Sequence, residues 1–170
     1  YQNGGWYSDI TIKIVDKLAD IPSDIELELV CFRDHGSVMN PLSLNYGIQT
    51  SLFYSKKGNP IFSKAIEYVL ENCINKNYGV SPICPTGPGV LGRAFAFHGA
   101  SHKHIMGTFL QLSPFYENKN KAYLIPDGTI IALHKDAWIK GCNEGDLSSL
   151  IDKGTNNYVE MYTSGNVYES

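Results

Sequence analysis

Three short stretches carry side chains whose types and spacing could do chemistry. The first is Gly4-Gly5-Trp6-Tyr7-Ser8-Asp9. Paired glycines let a backbone approach a ligand closely or adopt positive φ. A carboxylate just past such a turn is a strong charged acceptor, able to reach a metal ion or a sugar hydroxyl. The same residues also make an ordinary turn into a strand, with Asp9 as a local cap. The second stretch is Thr86-Gly87-Pro88-Gly89. The first N–H groups of a helix have no intrahelical partners and can meet an anion. The same pattern is also that of a plain helix start, with Thr86 as cap and Pro88 just inside. The third is His134, expected at a strand end, with Trp138 four residues on. A histidine there can ligate a metal, donate to a phosphate or carry a proton, or stand as a solvated side chain.

A fourth run, HGASHKHI, holds His98, His102 and His104. On a helix, His98 and His102 would share a face. Gly99 weakens that helix, no carboxylate or cysteine accompanies the pair, and H-E-x-x-H is absent. The run reads as a solvated loop within a polar segment, 98–118.

Several elements must position these residues. Ile10, Ile12 and Ile14 alternate with Thr11, Lys13 and Val15, which is strand period. Residues 26–32 and 48–55 read as strands, and 33–45 as a loop rich in Asp, Gly, Ser, Asn and Pro. The spacing of Ile61, Phe62, Ala65, Ile66, Val69, Leu70, Cys73 and Ile74 predicts a helix over 60–77. Asn59 caps it, Pro60 suits its first position and Gly79 can end it. A second helix starts near Pro88. Residues 121–134 form a hairpin around Pro126-Asp127-Gly128, and short helices follow near 146–152 and 156–162. Strands and helices in this order predict an α/β layer structure.

With 170 residues, 43% of them hydrophobic, the chain suits one domain with a real core. A net charge of −3 argues against a nucleic-acid partner. No run of about 18 apolar residues exists, so no membrane span is expected. The four cysteines, Cys31, Cys73, Cys84 and Cys142, lack C-x-x-C spacing. They are expected to be reduced and mostly buried, and not to form a metal site.

The order of the motifs carries a resemblance. Tyr1, Gly4, Gly5, Tyr7 and Asp9 form a Y-x-x-G-G-x-Y-x-D pattern. It resembles the segment around the DXD motif in the family described as glycosyltransferase sugar-binding region containing DXD motif. That family includes yeast-type initiating mannosyltransferases and bacterial capsular and lipopolysaccharide sugar transferases. IQTSLFYSKKGNPIF (48–62) is similar to its I-N-N-x-F-x-x-S-x-x-G-H-P-F stretch, with Gln49 in place of Asn and Asn59 in place of His. PTGPGVL (85–91) matches T-G-P-x-x-L, and LHKDAW (133–138) resembles the late His followed by Trp.

The resemblance implies a GT-A-like mixed sheet with flanking helices. Residues 1–170 would be one catalytic-domain portion that starts at the DXD-type motif, the C-terminal part of that fold. It implies transfer of a hexose from a UDP- or GDP-linked donor to a saccharide or lipid-linked acceptor, with retention, in surface polysaccharide synthesis. Asp9 and His134 become the catalytic residues and the ligands of Mn²⁺ or Mg²⁺. Gly4, Gly5, Tyr7, Asp9, Gln49, Thr86, Gly87, Pro88 and Trp138 become the donor-binding set. The second acid of the motif is replaced by Thr11, a poor substitute as a metal ligand. A non-catalytic carbohydrate-binding relative of the same fold is therefore the second expectation. The family's setting implies bacterial or viral cytoplasm, at or near a membrane surface, or the Golgi for a eukaryotic member.

Overall fold

A computed structural model of the chain describes residues 1–15, 21, 26–34, 46–112, 121–134 and 158–168. Trp138, Cys142 and the helix expected near 146–152 lie outside them. The described part is a mixed α/β structure. Its strands are β1 (Gly5–Ser8), β2 (Ile12–Ile14), β3 (Leu29–Asp34), β4 (Leu52–Ser55), β5 (His104–Gln111), β6 (Lys121–Leu124) and β7 (Ile130–His134). Its helices are α1 (Pro60–Ile74), α2 (Pro88–His98) and α3 (Tyr158–Thr163). The strands form one seven-stranded sheet in the order β1-β4-β3-β5-β6-β7-β2. Only β3 and β5 run parallel; the other pairs are antiparallel.

The order places β1 and β2 on opposite edges, although three residues join them. Laid flat, seven strands would hold the outer two roughly 29 Å apart, six gaps of about 4.8 Å each. Four Cα steps from Ser8 to Ile12 reach at most about 14 Å. The sheet must therefore curl until its edges nearly meet at the turn that carries Asp9.

Period-two alternation along β3 divides the core. Val30 and Phe32 face the inside of the curl with Leu52, Tyr123, Ile131 and Ala132. There the Phe32 and Tyr123 rings meet edge to face at 5.2 Å. Leu29 and Cys31 face outward and pack with Ile61 of α1 and Leu91, Ala94 and Phe95 of α2. A strand covered on both faces reads as a near-continuous apolar run, as Leu29-Val30-Cys31-Phe32 does.

Helix α1 starts as expected: the Asn59 side chain accepts the Ile61 N–H at 3.0 Å, and Pro60 follows. It stops at Ile74, short of the expected 77, because the Asn75 side chain donates to the Glu71 carbonyl and Lys76 takes a positive φ of 49°. Ile66, Leu70 and Ile74 of its apolar stripe are exposed. The hairpin also forms as expected. Asp127 Oδ1 accepts the Thr129 N–H at 2.8 Å, and Gly128 supplies φ 88°. A helix expected near 156–162 is α3. Its Tyr162 hydroxyl donates to the Gly79 carbonyl at 3.0 Å, and Tyr168 donates to the Asn77 carbonyl at 2.6 Å.

Three expectations need correction. The glycine turn is followed by strand β1 before Asp9, and the run 10–15 is strand only over Ile12–Ile14. The run 98–105 reads as a solvated loop, yet its last two residues, His104 and Ile105, open β5, paired with β3 from Leu29↔His104 to Asp34↔Phe109. Thr86 does not cap α2: Gly87 holds that position, with no side-chain cap bond. The described cysteines are free, as expected, but they are not mostly buried. None of Cys31, Cys73 and Cys84 is in a disulfide, and of these Cys31 is buried while Cys73 is exposed.

Candidate functional site

Asp9 occupies the turn between β1 and β2. Its carbonyl accepts the Ile12 N–H at 3.1 Å, closing a β-turn whose tip, Ile10, is fully exposed. Its own N–H donates to the Ser51 carbonyl at 2.8 Å, tying the turn to the start of β4. Tyr7 donates its hydroxyl to Asp9 Oδ1 at 2.7 Å, while its ring stacks on Phe53 with centroids 5.1 Å apart. The bond to Asp9, then the carboxylate's charge, pushes the Tyr7 phenol above its usual range. The phenol thus stays a donor and aims the carboxylate.

The turn changes how Asp9 and Thr11 relate. On one strand they would share a face, as positions i and i+2 do. β1 ends at Ser8 and β2 begins at Ile12, so both lie in the connection and that rule does not apply.

Beside the turn runs a chain of hydrogen bonds. Gln49 Nε2 donates to Asp34 Oδ2 at 2.7 Å. Ser51 Oγ donates to Gln49 Oε1 at 2.9 Å and lies 2.6 Å from the Tyr123 hydroxyl. A serine has one proton to give. Since Gln49 takes it, Tyr123 must donate to Ser51. Burial pushes the Tyr123 phenol up to about 12; the Asp9 and Asp34 charges add to this, and the Ser51 bond opposes it. The phenol is therefore protonated at neutral pH, as its donor role requires. Asp9, Asp34, Gln49 and Ser51 are all half-buried.

Backbone pairing holds this group in place. Gln49 N–H donates to the Phe32 carbonyl at 2.9 Å and Asp34 N–H to the Gly47 carbonyl at 2.8 Å. Ile48 N–H donates to the Pro88 carbonyl at 3.1 Å, joining the same segment to the start of α2. His134 lies opposite Ile12 in the β2–β7 ladder, its ring edge-on to Phe109 at 5.8 Å. Directly paired residues share a face, so His134 faces the inside of the curl with Ile12.

The structure thus gathers Tyr7, Asp9, Gln49, Pro88 and His134 at one end of the sheet. Gly4 and Gly5 are not part of that group. Gly5 pairs with Ser55, at the other end of β1 and roughly 10 Å from Ser8. Gly4 has φ 70°, and a Cβ there would lie 2.6 Å from the Lys57 nitrogen. Gly4 serves a close backbone approach, whereas Gly5, with nothing within 4 Å of an added Cβ, supplies only its positive φ of 106°. Thr86 and Gly87 line an open apolar groove of about 290 Å³, with Thr50, Phe53, Phe62 and Val90 among its walls. The first N–H groups of α2 are engaged: Pro88 has none, Gly89 donates to the Ile83 carbonyl and Val90 to the Gly87 carbonyl. Trp138 lies outside the described residues.

Among the described residues no group of three or more His, Cys, Asp or Glu could hold a metal ion. Asp9 is the sole carboxylate of its turn, and one of its oxygens already accepts from Tyr7. Mg²⁺ and Mn²⁺ call for several oxygen ligands. The described side chains alone do not fit such an ion.

Sequence reasoning missed Asp34, Ser51 and Tyr123. Asp34 was read as part of a loop, and Ser51 and Tyr123 meet only because the sheet curls. The one available signal was a tyrosine among apolar strand positions, since a buried phenol needs a partner. Comparison with protein-family models, curated proteins and solved structures gives no match for this chain.

Proposed function

We propose that the chain is a hexosyltransferase, moving a hexose from a UDP- or GDP-linked donor to a saccharide or lipid-linked acceptor hydroxyl with retention. One observation carries this reading. The four blocks that resemble the transferase family run from Tyr1 to Trp138 in sequence; backbone bonds join the first three, and the fourth pairs with Ile12, three residues past the first. Asp9 bonds Ser51, Ile48 bonds Pro88, and Ile12 pairs His134. The resulting end of the sheet combines accessible carboxylates and an amide, the groups that recognise sugar hydroxyls.

In this reading Asp9, aimed by Tyr7, accepts from the donor sugar, and Gln49 binds a second hydroxyl. His134 donates to the leaving diphosphate, whose developing charge must be met. The bond from the anomeric carbon to the phosphate oxygen breaks and one to the acceptor oxygen forms on the same face. The acceptor's proton passes to the departing phosphate oxygen.

A second reading, a carbohydrate-binding protein without turnover, is favoured by one observation: Thr11 in place of the second acid, in a turn with a single carboxylate. One experiment separates the two. UDP- and GDP-sugars are screened for binding and hydrolysis with and without Mn²⁺, using wild type and Asp9→Ala. Turnover lost in Asp9→Ala supports the transferase, and its response to Mn²⁺ shows whether an ion takes part. Binding of sugars without turnover supports the second reading. Failure to bind any sugar or nucleotide sugar overturns both.

A further inference from the structure

We propose that Ser51 and Tyr123 are positioning residues that lock the Gln49 side-chain amide for recognition of the donor sugar. The inference rests on the transferase reading above and names the device that sets its specificity. A glutamine's last torsion is broad and roughly two-fold, so a free amide presents either end to a ligand. Here both ends are specified. An ionised carboxylate only accepts, so Asp34 draws Nε2 toward itself at 2.7 Å. Ser51 gives its one proton to Oε1 at 2.9 Å and takes one from Tyr123. Tyr123 is fully buried, with Phe32 at 5.2 Å and Phe109 at 4.6 Å between ring centroids. A flexible side chain at the site is thus anchored to a fully buried residue of the inner core. With those bonds made, the amide retains one N–H and one lone pair for a ligand, in a fixed orientation.

The test combines kinetics with side-chain amide NMR on Ser51→Ala, Tyr123→Phe, Ser51→Thr and Gln49→Ala. Each of the first two removes one neutral hydrogen bond, so the donor KM should rise about 3- to 10-fold with kcat within about twofold. Ser51→Thr keeps the hydroxyl and should restore the wild-type KM. The Gln49 amide protons should be well dispersed in wild type and Ser51→Thr, and collapse toward free-amide positions in Ser51→Ala. An unchanged KM in Ser51→Ala and Tyr123→Phe, beside a raised KM in Gln49→Ala, overturns the inference and leaves the transferase standing. Gln49 amide signals identical in wild type and Ser51→Ala overturn it whatever the kinetics. A wild-type chain that binds no donor overturns the transferase reading and the lock's role with it, and the amide signals then still decide whether the lock exists.

Discussion

Changing Gly4 and Gly5 separately to alanine separates a glycine kept for the backbone from one kept for a ligand. Both sit at positive φ, 70° and 106°. A side chain there costs about 1–2 kcal/mol of strain. Alanine recovers about 0.4–1 kcal/mol by restricting the unfolded chain. Gly5→Ala should therefore lose about 1 kcal/mol, since nothing lies within 4 Å of its new Cβ. Gly4→Ala meets the Lys57 nitrogen at 2.6 Å and the Ser55 carbonyl oxygen at 3.0 Å. These are backbone atoms of a paired strand and its turn, and they cannot swing aside. Overpacking adds about 1–3 kcal/mol, so Gly4→Ala should lose about 2–4 kcal/mol. In a chain of this size a gap of about 2 kcal/mol separates the melting temperatures by about 4–8 °C. Urea unfolding at matched m-values reads the difference. Gly5→Ala should also keep wild-type donor affinity. Equal losses at the two positions, or the larger one at Gly5, would refute the packing argument. Lost donor binding in a folded Gly5→Ala would return the pair to the ligand.

Three further outcomes are expected. Asn59→Ala should cost about 1–2 kcal/mol in urea unfolding, through its lost cap bond and the bond from Nδ2 to the Glu28 carbonyl. The loss stays modest because that carbonyl still accepts the Lys56 N–H. Burial holds the His104 pKa below its usual value, only partly offset by Glu28. The unfolded chain then binds the proton more readily, so stability should fall as pH drops from about 6.5 toward that lowered pKa. A urea series over this window, repeated with His104→Gln, should show the slope shrink in the variant. Burial pushes the Cys31 thiol up to about 12, whereas Cys73 is exposed. A thiol reagent should modify Cys73 in the native chain and reach Cys31 only upon unfolding.

What the sequence disclosed was what local chemistry decides. The start of α1 is written in Asn59-Pro60 and a 3.6-residue stripe, and the β6–β7 hairpin in Pro126-Asp127-Gly128. Each depends on residues within a few positions of one another. Strand β5 was illegible because its partner β3 lies some seventy residues earlier, and parallel pairing leaves no turn signal between them. The alternation of Ile10, Ile12 and Ile14 suggested a single strand. Ile10 instead stands at the tip of a turn, because Asp9 binds Ser51 and Ile12 pairs His134. The candidate site divides the same way. Asp9 and Gln49 were visible as motif residues, while Asp34, Ser51 and Tyr123 join them only through the curl of the sheet.

The short link between β1 and β2 also bears on how the chain reaches its native state. Gly5 pairs with Ser55, while Ile12 pairs with His134. Residues a few positions apart must therefore find partners at opposite ends of the ladder, and no hairpin between them can nucleate the region. Such distant pairings incur their loop-closure entropy before any contact rewards them, which makes them slow. The surroundings of Asp9 are complete only when both outer strands have docked, so they belong to the closing stage of folding. Donor binding should then reappear with the slowest refolding phase, and a chain with either outer strand unpaired should retain much of its core and none of its site.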